Sequence, residues 1–299
     1  PARAIRPSRS GGLDEAGAGR AMDLGAVGVF TSGLWAQRRE VAALTGLRPV
    51  RRFWSGRGLA AVAGWGHKPT AARARSTAAR LGLTYFALED GFLRSVGPGE
   101  PASSYVCDPV GVYYAGAAPS ALEALVRIRA ADPAASARAA LPALRAVRDL
   151  GLSKLNAFDP GSAGLEALPA DPEACVLVLD QTRGDAAVAG AGADGARFCA
   201  MLATAVAENP DRIVAVRTHP EVAAGRRLGC LDMAAAARAY PSVADALERG
   251  RLIVTPARAA PAAALARVGR VYAVSSLMGL EALIHGRPVT CFGWAFYAG

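Results

Sequence analysis

Residues 174–185 read ACVLVLDQTRGD, an apolar run that ends abruptly in polar and charged residues. A short continuous apolar run rich in valine and leucine is typical of a strand covered on both faces, as in a parallel sheet. The polar residues then fall just beyond the carboxyl end of the strand, where parallel α/β sheets bind their ligands. This stretch therefore predicts a parallel α/β sheet and a functional site at the carboxyl end of this strand.

Short apolar runs alternate with alanine-rich helical segments on both sides of this stretch. From residue 174 onward we predict strands at Ala174–Leu179, Ile213–Val216, Leu252–Val254, Val271–Val274 and Val289–Phe292, and helices at Asp194–Glu208 and Leu277–His285. Before it we predict strands at Ala26–Phe30, Val50–Trp54, Leu59–Ala63 and Thr84–Leu88, and helices at Thr70–Leu81, Ala121–Arg129 and Ala134–Asp149. This alternation predicts an α/β protein with parallel sheets.

A stretch rich in glycine, proline, serine and aspartate, Asp159–Pro172, is the best linker in the chain. It separates an N-terminal Rossmann-like lobe, residues 24–165, from a C-terminal one, residues 172–299. We expect a cleft between the two lobes, lined by the loops that follow the strands. Residues 1–23 carry several arginines and no apolar pattern, which predicts a flexible basic tail.

Composition narrows the classes of protein that fit. The 34 basic residues against 25 acidic ones give a net charge of +9, and Lys68 and Lys154 are the only lysines. Arginine suits carboxylates and phosphates, although a GC-rich genome would also favour it.

The cysteines and the apolar segments bear on the compartment. Five scattered cysteines without a C-x-x-C pair suggest neither a disulfide framework nor a zinc site and fit the cytoplasm. The sequence has no signal-peptide core and no span of about 20 apolar residues, which predicts a soluble or peripheral protein.

Two of the loops after predicted strands carry carboxylates. Glu89 and Asp90 follow Thr84–Leu88, and adjacent carboxylates can supply a base because each raises the pKa of the other. The structural alternative is a cap with an ion pair to Arg94. In the loop after Leu179, Asp185 beside an arginine could act as nucleophile or acid, although an Asx turn is the commoner explanation of Gly184-Asp185.

Two further loops are suited to an anion. His219 follows a strand and precedes Pro220, a residue that favours the first position of a helix, and a histidine there can meet a phosphate. Ser275 and Ser276 precede a helix whose free N–H groups form an anion site, although Ser-Ser is also an ordinary cap. Glu281 in that helix could reach a ribose hydroxyl, but an exposed helical glutamate is the default. The sequence has neither a G-x-G-x-x-G fingerprint nor a P-loop.

An ordered set of short motifs resembles the KpsC-type capsular polysaccharide biosynthesis proteins, which are retaining β-Kdo glycosyltransferases. The motifs are GWGHKP at 64–69, EDGFLRSVG at 89–97, GVYY at 111–114, GLSKLN at 151–156, DQTRGD at 180–185, THPEV at 218–222, GLEAL at 279–283 and FYAG at 296–299. The loop at 180–185 is similar to the amino-terminal of the two transferase modules of that family. Because the family continues beyond the equivalent of Gly299, we expect the C-terminal lobe to be truncated and a second module to exist in the full-length chain.

The resemblance implies a GT-B-like fold that transfers Kdo from CMP-Kdo, without a metal, to an anionic glycolipid or oligo-Kdo acceptor at the cytoplasmic face of the inner membrane. It makes Asp185 the nucleophile of a double displacement, with Glu89 and Asp90 as acid/base candidates whose roles stay unassigned. His219-Pro220 and Ser275-Ser276 would hold the CMP phosphate, with Glu281 toward the ribose and Gln181 also on the donor side. Candidates for the sugar carboxylate are Arg94, Arg183 and Lys68.

Two other functions stay open at this point. A transferase for another CMP-keto-sugar, such as sialic acid, would share most of these residues. A non-catalytic protein that binds anions or nucleic acid would use the positive charge. Nucleic acid is not an expected partner, because the arginines are dispersed and aromatic residues make up only 6% of the chain.

Overall fold

The computed structural model describes residues 25–52, 56–97, 99–158, 164–255 and 257–298. The predicted tail, residues 1–23, lies outside these ranges, as do residues 159–163 of the predicted linker. Within them the chain forms two five-stranded sheets that are parallel except for one edge strand, flanked by helices. The predicted α/β class is confirmed.

The first sheet has the strand order β2-β1-β3-β4-β5. Its strands are β1 Ala26–Val29, β2 Arg48–Arg51, β3 Ala61–Trp65, β4 Thr84–Asp90 and β5 Tyr105–Asp108. The first four are parallel, and β5 runs antiparallel to β4 at the edge. β2 and β3 lie on opposite sides of β1, so the chain crosses back over β1 between β2 and β3 and then continues in the other direction across the sheet.

Two strands differ from the sequence prediction. β2 begins at Arg48 and includes Pro49, although we predicted it from Val50; a proline, which lacks an N–H donor, is tolerated because β2 is an edge strand. Residues 53–55 at the end of the predicted strand lie outside the described residues. β5 was not predicted, because its four residues YVCD show no clear alternation.

Five helices accompany this sheet: α1 Ser32–Ala36, α2 Arg38–Thr45, α3 Ala72–Leu81, α4 Ala121–Ala130 and α5 Pro133–Asp149. A 3₁₀ turn at Pro69–Ala71 precedes α3, so Thr70 lies inside that turn rather than capping the helix as predicted. α4 and α5 have the usual side-chain caps at their N-termini. The Ser120 hydroxyl accepts the Glu123 N–H, and the Asp132 carboxylate accepts the Ala135 N–H.

The second sheet is fully parallel, with the order β10-β9-β6-β7-β8. Its strands are β6 Cys175–Leu179, β7 Ile213–Arg217, β8 Leu252–Thr255, β9 Arg270–Ala273 and β10 Val289–Cys291. β6 lies in the centre, and every residue in it is buried. Val176 and Val178 pack on one face against Phe198, while Leu177 and Leu179 pack on the other against Leu265. This two-sided burial explains the uninterrupted apolar run.

Seven helices accompany the second sheet: α6 Ala186–Gly190, α7 Gly195–Glu208, α8 Pro220–Ala223, α9 Met233–Ala239, α10 Pro241–Glu248, α11 Pro261–Leu265 and α12 Leu277–Ile284. A 3₁₀ turn at Pro172–Ala174 leads into β6. The largest apolar face belongs to α7, which buries Phe198, Met201 and Leu202. Each of these side chains contributes about 1.5–3 kcal/mol when fully buried.

Candidate functional site

A cavity of about 560 Å³ lies at the carboxyl ends of β4, β6, β7 and β9. Ten of the twelve residues that the sequence pointed to line it: Lys68, Glu89, Asp90, Gln181, Asp185, His219, Pro220, Ser275, Ser276 and Glu281. Arg94 and Arg183 are not among its lining residues, so the structure separates these two from the group. Both sheets contribute to the wall, since Glu89 and Asp90 are the last two residues of β4 in the first and Arg217 ends β7 in the second. The two carboxylates thus lie in the strand, which is longer than predicted because it pairs with β5, rather than in the loop after it.

The central strands of the second sheet meet at the cavity. The chain runs from β6 through β7 to β8 on one side and returns to β9 on the other, which makes the gap between β6 and β9 a topological switch point. Ligands bind at such points in open α/β sheets. Gln181 after β6 and Ser275 after β9 join the strand ends: the Gln181 amide donates to the Ser275 hydroxyl at 3.2 Å, and the Ser275 N–H donates back at 3.1 Å. These two residues therefore build the floor of the cavity.

Asp185 is the N-cap of α6 and lines the cavity. Its Oδ1 accepts the Ala187 N–H at 2.9 Å, which is the turn-forming role that the sequence had offered as the alternative. That bond fixes the carboxylate without occupying Oδ2, for which the described residues supply no hydrogen bond. A carboxylate held in this way can both cap a helix and present an oxygen to a ligand.

Glu89 is a mostly buried carboxylate that also lines the cavity. Its Oε1 accepts a hydrogen bond from the Tyr114 hydroxyl at 2.8 Å, and that hydroxyl accepts the His67 N–H at 3.1 Å. Burial raises the pKa of Glu89 above its ordinary value, against the opposing effects of the Tyr114 bond and of the Lys68 charge. A carboxyl group with a raised pKa is suited to accept and return a proton near neutral pH.

Asp90 is tied to Arg94 by an ion pair of 2.9 Å. The same guanidinium donates to the Ser95 hydroxyl at 2.8 Å. This is the structural alternative that the sequence left open for the Glu-Asp pair. Because Asp90 has a cationic partner and Glu89 does not form an ion pair within the described residues, the two adjacent carboxylates differ in environment.

His219 caps the short helix α8, and Pro220 occupies its first position as predicted. The ring Nδ1 accepts the Glu221 N–H at 3.2 Å, so in the neutral imidazole the proton lies on Nε2. Burial lowers the pKa of His219. The neutral ring therefore offers one N–H donor to a ligand in the cavity, rather than the cation that the sequence also allowed.

Ser276 precedes α12 and lines the cavity. Its hydroxyl forms no capping bond to the helix, although serine at this position usually does. The first N–H groups of α12 and this hydroxyl are thus positioned for an anion, whose negative charge the helix dipole favours. Ser275, by contrast, also donates its hydroxyl to the Ala187 carbonyl at 3.0 Å.

Glu281 is 8% exposed, against the default of an exposed helical glutamate. Its Oε1 accepts two hydrogen bonds, from the Ser153 hydroxyl at 2.7 Å and from the Lys154 N–H at 3.1 Å. Burial raises the pKa of this carboxyl. The segment after α5 is therefore attached to α12 through Glu281.

Among the lining residues that the sequence did not single out as site residues are Lys154, Arg217 and Tyr114. Arg217 ends β7 and is 5% exposed. Its Nη2 donates to the carbonyls of Ala257 and Ala259, whereas its buried Nη1 has no hydrogen-bond partner among the described residues. Burial lowers the pKa of Arg217 to about 10. Lys154 and Tyr114 belong to motifs quoted for the resemblance, but nothing in those motifs alone separated them from their neighbours.

The described residues contain neither a cluster suited to a metal ion nor a helix suited to span a membrane. No group of three or more histidine, cysteine, aspartate or glutamate side chains there is arranged to hold a metal ion. In the same part of the chain, no helix has the length and apolar character needed to cross a bilayer.

Residues 60–144 and 165–299 match the protein family described as "Capsule polysaccharide biosynthesis protein". Two capsule polysaccharide modification proteins LipA of Neisseria meningitidis, from serogroups A and B, are 36% and 39% identical to this chain over 265 and 244 residues. These regions make up 87% and 80% of this chain but only 36% and 33% of the LipA chains. The lipopolysaccharide-processing protein LpsZ of Rhizobium meliloti is 30% identical over 230 residues, which are 76% of this chain and 49% of LpsZ. The chain thus spans a third to a half of the length of these curated relatives.

Two solved structures are similar to this fold. The β-Kdo 2,4 transferase of Thermosulfurimonas dismutans KpsC has a TM-score of 0.78 at 36% identity, over 92% of this chain and 82% of that one. The β-Kdo 2,7 transferase of the same KpsC has a TM-score of 0.56 at 22% identity, over 92% of this chain and 80% of that one. The second likeness is one of fold alone.

Proposed function

Because the chain belongs to the capsule polysaccharide biosynthesis protein family, we propose that it is a glycosyltransferase module that moves Kdo from CMP-Kdo to a glycolipid or oligo-Kdo acceptor. Kdo transfer is the activity named for the 36% identical KpsC structure. The observation that carries the proposal is the common cavity: Glu89, Asp185 and His219 come from three different strand ends and line one space. Acid/base, nucleophile and phosphate ligand are the parts that such a transfer requires.

The architecture in this proposal is GT-B-like. Residues 24–165 would form a Rossmann-like lobe on the acceptor side, and residues 172–299 a second lobe on the donor side. Support comes from the two separate five-stranded sheets and from a cavity lined by residues of both.

In this proposal the CMP phosphate lies between His219 and the start of α12. The Nε2–H of His219, the Ser276 hydroxyl and the free N–H groups of α12 would donate to its oxygens. Charge on the departing CMP would then be stabilised by protein donors, without a metal. The unpartnered Arg217 Nη1 in the wall of the same cavity adds a further positive group.

Transfer would proceed through two inversions at one carbon. In the first, the free Oδ2 of Asp185 attacks the anomeric carbon of Kdo, the bond from that carbon to the phosphate oxygen breaks, and CMP leaves with the electron pair. The product is an ester between Kdo and Asp185. A carboxylate can form and release such an adduct, as in retaining glycosidases.

In the second inversion the Glu89 carboxylate accepts the proton of the acceptor hydroxyl. The hydroxyl oxygen attacks the anomeric carbon, the bond to Asp185 breaks, and the configuration of the donor is restored. We assign this role to Glu89 rather than Asp90, because Asp90 is held by Arg94 at 2.9 Å and Glu89 keeps a raised pKa. The Tyr114 hydroxyl holds the Glu89 carboxylate in place.

The acceptor in this proposal is an anionic glycolipid or a Kdo chain built on it, reached at the cytoplasmic face of the inner membrane by peripheral association. A second transferase module elsewhere in the full-length protein would extend the product. Nucleic acid has no part in the proposal.

The test is to incubate the protein with CMP-Kdo or CMP-sialic acid and a Kdo-terminated acceptor, and to measure CMP release. We expect release with CMP-Kdo, and a product whose new linkage is β by NMR. Asp185→Asn and His285→Ala serve as inactive and active controls, since His285 lies at the end of α12 and does not line the cavity. Turnover of CMP-sialic acid alone would instead identify a sialyltransferase-like enzyme, and an α linkage would refute retention.

A further inference from the structure

The chain has only two lysines among 34 basic residues, and both line the cavity. Arginine supplies nearly all other positive charge, so lysine is retained only at Lys68 and Lys154. The two side chains differ physically: lysine is a compact, strongly hydrated point charge, whereas arginine is a broad planar fork. A small cation in a confined cavity suits contact with one small anionic group.

Lys154 is fixed by its backbone between the two sides of the cavity. Its carbonyl accepts the Arg94 N–H at 2.9 Å in the loop after β4, and its N–H donates to Glu281 at 3.1 Å on α12. Ser153 adds a second bond to the same Glu281 oxygen at 2.7 Å. Both polar backbone atoms of Lys154 are therefore used, and the position of the residue is set by contacts with both halves of the chain.

The Lys154 side chain is half-buried and forms no ion pair with the residues that the structure describes. Its charge lowers the pKa of Glu89, of Glu281 and of His219. The ammonium group is thus within electrostatic reach of both the acid/base candidate Glu89 and the phosphate candidate His219. Lys68 is placed differently, since its ammonium lies over the Trp65 ring at 5.3 Å from the centroid.

We propose that Lys154 binds the carboxylate of the transferred sugar acid, and that Glu281 is the positioning residue that holds it there. The inference rests on the proposed function. In a keto-sugar acid the carboxylate is attached to the anomeric carbon itself. That carbon must lie between the nucleophile Asp185 on one side and the phosphate on the other, and the acceptor, with its base Glu89, must approach from the phosphate side. Lys154 is a cation that lines the cavity and whose backbone is bonded both to the loop after β4 and to α12. Glu281 acts on the sugar through Lys154, because its Oε1 accepts the Ser153 hydroxyl and the Lys154 N–H.

The test compares how each variant affects use of the donor CMP-Kdo with how it affects binding of CMP alone. For wild type, Lys154→Met, Lys154→Arg and Lys68→Met, KM and kcat with CMP-Kdo and the Kd of CMP are measured. Loss of a charge-assisted contact predicts a KM for CMP-Kdo raised about 10-fold to 100-fold in Lys154→Met. We expect the Kd of CMP to change less than about twofold and Lys154→Arg to recover part of the loss. Arg80→Met, an exposed charge at the end of α3, controls for net charge.

Glu281→Ala tests the positioning role. It should raise the KM for CMP-Kdo as Lys154→Met does. The Glu281→Ala/Lys154→Met double variant should have a KM no higher than that of Glu281→Ala alone, because both changes remove the same contact with the sugar carboxylate. Glu281→Gln, which keeps an acceptor oxygen for Ser153 and Lys154, should recover most of the affinity.

Three results would overturn the inference. Equal weakening of CMP and CMP-Kdo by Lys154→Met would assign the residue to the phosphate. An unchanged KM would remove it from donor binding, and a selective effect in Lys68→Met instead would transfer the role to Lys68. A wild-type protein that binds CMP but neither binds nor turns over CMP-Kdo would refute the proposed function itself, a failure that is visible before any variant is made.

Discussion

Replacing Tyr114 with phenylalanine tests the environment of Glu89. The change removes one hydroxyl, which donates to the Glu89 carboxylate at 2.8 Å, and leaves the ring and its contacts. That hydrogen bond lowers the pKa of Glu89 against the larger effect of burial, which raises it. Without the bond, the pKa of Glu89 should rise further.

The free-energy effect of the substitution on Glu89 follows from the strength of this hydrogen bond. A hydrogen bond to a charged group contributes about 1.5–3 kcal/mol, and one to a neutral group about 0.5–1.5 kcal/mol. The hydrogen bond therefore stabilises ionised Glu89 over protonated Glu89 by about 1 kcal/mol, and its loss raises the pKa. Glu89 must be ionised to accept the acceptor proton, so activity is lost as pH falls through its pKa. The variant should lose activity at a higher pH than wild type.

The assay is the pH dependence of kcat/KM for the acceptor, which reports the essential base before the acceptor binds. Tyr113→Phe is the matched control: it removes a hydroxyl from the same cavity, and the structure gives that hydroxyl no hydrogen bond to Glu89. We expect the acid limb of the profile, where kcat/KM falls as the pH is lowered, to lie at higher pH in Tyr114→Phe than in wild type. In Tyr113→Phe it should lie at the wild-type pH. An acid limb that is the same in all three proteins would refute the assignment of Glu89 as the base.

Two further predictions concern binding and stability. His219→Ala should weaken CMP binding about 10-fold in a calorimetric titration, because it removes the Nε2–H donor, whereas His285→Ala should leave the Kd unchanged; equal affinity in both variants would exclude His219 from the phosphate site. Asp180→Ala should lower the free energy of unfolding by about 3 kcal/mol or more, because its Oδ1 accepts the N–H groups of Gln181, Cys230 and Leu231 in the interior. Asp194→Ala, an exposed cap, should cost only about 1 kcal/mol, and equal losses in denaturant unfolding would contradict the structural role of Asp180.

The strands and most site loops could be predicted because their causes are local. The buried run at 175–179 follows from burial on both faces, and the proline at 220 from its fixed backbone angle at the first position of a helix. The two edge strands of the first sheet were harder to predict: β2 includes a proline and β5 lacks alternation, so neither has the usual strand pattern.

The roles of individual charged residues depend on distant partners that no local pattern reports. Arg94 pairs with its neighbour Asp90 rather than facing the cavity, and Arg183 does not line it. Glu281 is bonded to residues 127 and 128 positions earlier in the chain. The signal that could have pointed to Lys154 was compositional: a lysine is rare in a chain that uses arginine almost everywhere else.

Intact-mass measurement of Glu89→Gln incubated with CMP-Kdo tests the double displacement most directly. With the base removed and no acceptor present, the ester on Asp185 should accumulate. The account predicts a mass increase of one Kdo residue, located by peptide mapping to Asp185, and no increase in the Glu89→Gln/Asp185→Ala double variant. Release of CMP by Glu89→Gln with no adduct on Asp185, or an adduct that persists in the double variant, would contradict it.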